Sequence, residues 1–384
     1  MQAQDTSSVL IPEQSKKIFY IDHLKVVLTI LVVLHHAFIT YGAPGGWYYK
    51  QATTKMAALI PMTLFVSVNQ AFFMGFFFFL SSYFIKPSYE RKGASRFVAD
   101  RLLRLGIPLL FYSFVLSPLL NYLVYYFGKG NHITYLQYLS GFDDWIDFGV
   151  LWFVAALLLF TLIYVLCRNI FKIQLPKSLP APTAGSVILF AAGVGVISFF
   201  VRTIFPVGWS LKPLGFQFGH FSQYIALFIL GLIASKNNWL NTIAFSTGKR
   251  LAVFARLSLL FLPVFYIIEK ISHMPQDWFS GGFHWQQLLY AVWEQLIGFS
   301  IITALLCFGK KLWNKQSGFI MSLSRYTFAV YIFHPLVLIS LSLSIRNWSI
   351  DPALKLLLVA PLAVVLSFLL ASVIVLIPGV KKII

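Results

Sequence analysis

IDHLKVVLTILVVLHHAF, residues 21–38, is an apolar run of bilayer length that carries ionisable groups near both ends. Asp22, His23 and Lys25 stand at one end, and His35 and His36 near the other. A hydrocarbon core takes about 20 apolar residues as a helix, and an ionisable side chain inside it is a functional hypothesis by default. At 100° per residue, Lys25 and His36 fall within about 20° of each other on the wheel, and Asp22 about 40° from His36. His35 is rotated by about 80° from Lys25. Asp22, Lys25 and His36 therefore share a stripe that rises roughly 16 Å from Lys25 to His36. They cannot touch, but they can line one path from the membrane edge inward. Asp22 and Lys25 also fit a plain interfacial role, and His35 a packing hydrogen bond to a neighbouring helix.

Composition makes the membrane unavoidable. Of 384 residues, 59% are hydrophobic and only 11% charged, which no soluble core could hide. The formal charge of +18 fits basic loops at a cytoplasmic leaflet, and nucleic acid is not expected as a partner. Cys167 and Cys307 lie far apart in apolar runs, so neither a disulfide framework nor a metal site is expected. Residues 1–17 are polar, and the run that follows has no small-residue cleavage site, so no cleavable signal is expected.

A ruler of bilayer length gives ten spans, near 20–41, 68–86, 103–127, 150–168, 184–205, 216–235, 250–268, 287–308, 322–344 and 354–378. The fold expected is an all-α integral membrane protein: a short polar cytoplasmic N-terminus (1–17), then one ten-helix domain (18–380). With residue 1 inside, the inner segments hold 20 basic residues and the outer ones seven, Arg202 counted among the outer. That asymmetry places both termini in the cytoplasm. The acidic stretch DDWID (Asp143, Asp144, Asp147) falls outside.

Other polar groups fall within or beside spans. Arg101 and Arg104, with Arg96 just before, sit at the inner start of span three, where guanidinium forks suit phosphates as well as they suit positive-inside anchoring. His334 precedes Pro335 in span nine, at a bend that can be structural or functional. Glu294, beside Gln295, is a buried acid fit to line a polar cavity. Two outer stretches, GAPGGWYYK (42–50) and DWFSGGFHWQQ (277–287, with Trp285), carry aromatics and amides that suit sugars or an interfacial belt equally.

In order and spacing these features resemble acyltransferase family 3, integral membrane enzymes that acylate sugars and other acceptors. Asp22-His23-Leu24-Lys25 followed by His36 is similar to the family's opening Asp-x-x-Arg and histidine, with lysine where arginine is usual. Lysine keeps the charge but loses the bidentate fork. Arg101, Arg104 and Pro108 match an Arg-x-x-Arg before proline, Leu151-Trp152-Phe153 a later span start, and Tyr331 to Pro335 a late histidine segment. Within the family the chain looks most like the branch of periplasmic glucan succinyltransferases. The resemblance implies acyl-CoA as co-substrate, with no metal, and a glycan or other hydroxyl acceptor arriving from outside. It implies a bacterial-type inner membrane, and leaves homo-oligomers open. By this reading His36, His35 and Asp22 are the catalytic group. Arg101, Arg104, Lys25 and Arg96 hold the donor, and His334, Glu294, Trp152 and Trp285 contact the acceptor.

Two rivals make different demands. In a transporter or flippase the polar stripe is a substrate path, but no internal repeat is visible. In the other membrane-bound O-acyltransferase superfamily a late-helix histidine does the chemistry, which favours His334. Topology is the first test. Reporter fusions after residues 95, 175, 243 and 384 are expected to read cytoplasm, and fusions near 135, 209, 278 and 348 the exterior. An external C-terminus would break the ten-span reading.

Overall fold

Residues 18–275 and 277–383 are described by a computed structural model. The segment 1–17, with Lys16 and Lys17, lies outside the described residues, as do Gln276, Ile384 and the side chains of Tyr266, Glu269 and Lys270. The protein is an all-α integral membrane protein. Among the described residues nine helices are long and apolar enough to cross a bilayer. They are α1 (Phe19–Tyr41), α2 (Met56–Lys92), α3 (Ala94–Gly128), α4 (Gly149–Asn169), α5 (Ala184–Ile204) and α6 (Phe218–Lys236), then, beyond a broken segment, Trp285–Leu312, Gly318–Ser344 and Pro352–Ile374.

The broken segment corrects the expected seventh span, 250–268. It is two helices, α7 (Phe245–Ser258) and α8 (Phe261–Ile271). Pro263 is the physical cause: it offers no N–H to the Leu259 carbonyl four residues back, and its ring crowds that carbonyl. The Ser258 carbonyl, bare at the break, accepts instead from Trp293 Nε1 at 2.9 Å. The two pieces run antiparallel beside Trp285–Leu312, here α9. Phe245 meets Phe308, Phe261 meets Trp293, and Gln286 Nε2 lies 3.6 Å from Met274 Sδ. A tenth traverse is therefore made in two pieces. Gly318–Ser344 is α10 and Pro352–Ile374 is α11.

Contacts separate the two ends of the bundle. At one end His23 stacks on Trp313, Asp22 accepts from Ser324 Oγ (2.9 Å), and the short helix Val380–Ile383 touches Leu102–Gly106 of α3. At the other, Thr53 Oγ1 donates to Asp351 (3.0 Å), Gln51 Nε2 donates to the Arg346 carbonyl (2.9 Å), and the Ser280 carbonyl accepts from Val207 N–H. Residues 18 and 383 thus share an end, as an even number of traverses requires.

Helix α9 packs along α5, α2 and α7; α2 also packs on α6, and α1 lies between α10, α11 and α2. Only 33% of the apolar window of α5 and 28% of that of α11 is buried, so these two form the lipid-facing periphery. Close approach depends on small residues. A Cβ at Gly298 would overlap the Ala71 carbonyl oxygen and crowd Gln223, whereas Gly193 on α5 has nothing within 4 Å. Gly298→Ala is therefore expected to destabilise the protein by about 1–3 kcal/mol in detergent unfolding. Gly193→Ala should leave stability unchanged or raised, and equal effects at the two positions would refute this packing.

Candidate active site

Helix α10 sets the geometry. Pro335 has no N–H, so the Tyr331 carbonyl four residues back loses its helical donor. His334 Nδ1 fills that place at 2.9 Å, with the Val330 carbonyl at 3.3 Å. A carbonyl only accepts, so His334 Nδ1 carries the proton and a neutral ring presents its lone pair at Nε2. Opposite it, 3.0 Å away, is His36 Nδ1 on α1. With both rings neutral, His36 Nδ1 must donate, and His36 Nε2 is left with a lone pair. His334 is fully buried while His36 is half-buried, so an incoming group reaches His36 first.

The loop between α1 and α2 covers the pair. Trp47 stacks on His36 with ring centres 4.2 Å apart and planes 17° from parallel. Its indole N–H has no hydrogen-bond partner among the described residues. Gly42 (φ 144°) and Gly45 (φ 139°) turn the chain there; a Cβ at Gly45 would strike Ile39 at 2.6 Å. Beyond Trp47 the loop is pinned to α11 and the turn before it: Lys355 Nζ, wholly buried, donates to Gln51 Oε1 (3.1 Å) and to the Arg346 carbonyl (2.9 Å), and Lys55 pairs with Asp351 (3.4 Å). Tyr48 and Tyr112 of α3 share a hydrogen bond of 2.8 Å. Burial, then the Asp147 carboxylate, pushes the Tyr48 phenol up, which keeps it protonated. Tyr331 OH donates to the Val150 carbonyl, docking the Leu151-Trp152-Phe153 start of α4 beside the histidines.

The remaining sequence candidates fall elsewhere. His35 turns to α2, where Asn69 Nδ2 donates to its Nδ1 (3.2 Å) and Phe73 stacks on it. Asp22 and Lys25 lie at the opposite end, 3.7 Å from each other, with Lys25 Nζ also 5.8 Å from the Phe84 ring. Arg101 packs over Phe97, and Arg104 lies 3.3 Å from Asp100, which also accepts from Lys92 (2.9 Å). Asp100 is a counter-charge that the sequence did not bring into the cluster. Arg96 is exposed nearby.

Trp152 stacks on Tyr224 rather than on a histidine, and Trp285 is an exposed residue at the start of α9. Glu294 is wholly occupied: Arg202 Nη2 donates to Oε2, and His220 Nδ1 lies 3.3 Å from Oε1. Arg202 is fully buried in α5, so its place among outer loop charges is corrected. Gln295 and Gln223 extend this network to the Ala71 carbonyl of α2. It clamps α2, α5, α6 and α9 together.

A family model described as "Acyltransferase domain", of the acyltransferase 3 family, matches residues 18–375. The chain belongs to the acyltransferase 3 family. Relatives named "Glucans biosynthesis protein C" from Escherichia coli (strain K12) and Escherichia coli O1:K1 / APEC are 24% identical, over 85% of this chain and 84% of theirs. The protein of that name from Salmonella heidelberg (strain SL476) is 24% identical over 86% of this chain and 84% of its own. No solved structure matches. In this acyltransferase 3 protein, Trp47 and Tyr48 were legible only as members of an aromatic stretch, and Tyr112 was not singled out at all. Arg202 was hidden because its partner is 92 residues away.

Glu294 and Trp285 separate clamp from contact. Glu294→Gln leaves Arg202 charged and unpaired in the interior, a change that typically costs about 3–5 kcal/mol. Thermal unfolding in detergent should show that loss for Glu294→Gln and almost none for Trp285→Ala. A Glu294→Gln protein of full stability with weakened acceptor binding would return Glu294 to the site.

Proposed function

We propose that this membrane acyltransferase moves an acyl group from cytoplasmic acyl-CoA to a hydroxyl of a glycan on the outer side. The observation that carries the reading is the His36 Nδ1 to His334 Nε2 hydrogen bond, which leaves His36 Nε2 as the basic atom. In this reading the end bearing Lys25, Arg101 and Arg104 faces the cytoplasm, in an inner membrane, as the charge asymmetry of the loops supports. Arg101 and Arg104, with Arg96 at the rim, receive the CoA phosphates, and Asp100 orients Arg104. The thioester arm extends past Lys25 along α1, over roughly 16 Å of helix.

His36 Nε2 takes the proton of the acceptor hydroxyl as its oxygen attacks the thioester carbonyl. The tetrahedral adduct then expels the CoA thiolate, which recovers the proton from the imidazolium. His334 accepts from His36 Nδ1 throughout and so holds the ring in register. Trp47 closes one face of the imidazole and keeps water from it. Asp22 lies at the donor end and His35 against α2, so neither reaches the reacting atoms directly. The relatives' name supports a glucan as acceptor class, and the narrowest form of the proposal is succinyl transfer to a glucan. The same observation favours an enzyme over a transporter, since a transport path has no use for a histidine of fixed tautomer.

Single-turnover transfer from labelled acyl-CoA tests this. His36→Ala should lose 10²–10⁴-fold in rate, the usual cost of a general base, while still binding the donor. His334→Phe should lose less, because His36 remains and only its tautomer is released. Near-normal transfer by His36→Ala with His334→Ala dead would pass the chemistry to α10.

A further inference from the structure

Asp143 and Asp144 have no part in the transfer chemistry, yet they border a surface cavity of about 300 Å³ at the outer end of α3. Asn121, Gln137, Asp143 and Asp144 line it, with the rings of Tyr125 and Tyr138. That volume is at the lower end of small-ligand sites. We propose that this cavity is an accessory subsite for a neutral glycan segment, on the same chain whose nearby hydroxyl is acylated at His36. The proposal rests on the glycan-acceptor reading above.

The lining has the chemistry of a sugar site. Tyr138 packs against Tyr122 (5.4 Å), Tyr125 (5.2 Å) and Phe142 (5.7 Å), a fixed set of aromatic rings on which the apolar face of a pyranose can lie. Burial, then the Asp144 carboxylate, pushes the Tyr138 phenol up and keeps it a donor. Asn121 Nδ2 is taken by Ser117, which leaves its Oδ1 as an acceptor; Gln137 Oε1 is taken by Thr134 in a capping box, which leaves its Nε2 as a donor. Neither Asp143 nor Asp144 is in an ion pair among the described residues, so both carboxylates can accept from hydroxyls. The same two charges repel an anionic segment, which is why the ligand class is neutral.

A stripe of polar residues on α3, its serines buried against Asp147, runs from this cavity toward the loop that covers the histidines. Ser113, Ser117, Asn121 and Tyr125 recur every four residues on one face of α3, beginning next to Tyr112, which bonds Tyr48 beside Trp47. Ser117 Oγ donates to Asp147 Oδ2 (2.7 Å), and Ser113 Oγ to the Asp147 carbonyl (3.1 Å). The π-helical turns Tyr112–Leu116 and Val124–Gly128 sit at the two ends of this face. They lengthen the turn, which keeps an i, i+4 stripe in line. From Tyr112 to Asn121 the helix rises roughly 13 Å, so only a chain of several sugars reaches both places.

The test uses the full chain in nanodiscs, acyl-CoA, and glucose or a linear glucose hexasaccharide as acceptor. For the wild type, kcat/KM for the hexasaccharide should exceed that for glucose at least ten-fold, and a carboxylated hexasaccharide should lose that advantage. Asp144→Asn and Tyr138→Ala, each checked for unchanged melting and elution, should lower the ratio at least three-fold. A ratio kept in both variants, or equal use of neutral and carboxylated chains, would overturn the subsite while leaving the acceptor reading intact. No transfer to any glucose oligosaccharide by the wild type would overturn both.

Discussion

One missing backbone N–H organises the centre of this protein. Pro335 leaves the Tyr331 carbonyl bare within α10, and in a bilayer a bare carbonyl is costly. His334 Nδ1 satisfies it at 2.9 Å, and that single bond decides which nitrogen of His334 is protonated. The decision passes on through the 3.0 Å bond to His36 and ends at a basic nitrogen. Tyr331 takes part twice, since its hydroxyl also holds the start of α4 at Val150. A helix defect, normally a liability, thus becomes the element that sets the state of two side chains.

The rest of the bundle keeps those two helices in register. Apolar burial does little between helices already surrounded by lipid, so close packing and polar clamps carry the association. The Arg202–Glu294–His220 cluster with Gln223 and Gln295 holds four helices together on one side. On the other, Lys355 and Asp351 hold the α1–α2 loop that places Trp47 over His36. The Glu294 carboxylate is thus spent on its neighbours, whereas the histidine pair keeps one lone pair unspent.

Much of this was legible in the sequence where the information is local. Helical periodicity placed His36 with Lys25 and turned His35 toward a neighbour, and Asn69 and Phe73 occupy that neighbour's side. Hydropathy found every long helix but drew the seventh as continuous, because Pro263 carries little weight in a sum over apolar residues. It also began α2 at residue 68, although that helix starts at Met56. What depends on partners distant in sequence was not legible. Glu294 looked like a cavity acid until Arg202 and His220 met it, and His36 and His334 looked like rivals until the fold brought together two positions 298 apart in sequence. Trp47 lay in a loop, where no periodicity points a side chain anywhere.

The central claim is a statement about protons, and nitrogen NMR reads protons directly. The full chain in detergent, labelled with ¹⁵N at histidine and assigned by single substitutions, should show His36 protonated at Nδ1 and bare at Nε2. His334 should show the same pattern, with a coupling across the Nδ1 to Nε2 hydrogen bond between the rings. A proton resident on His36 Nε2, with the lone pair on Nδ1, would contradict the account.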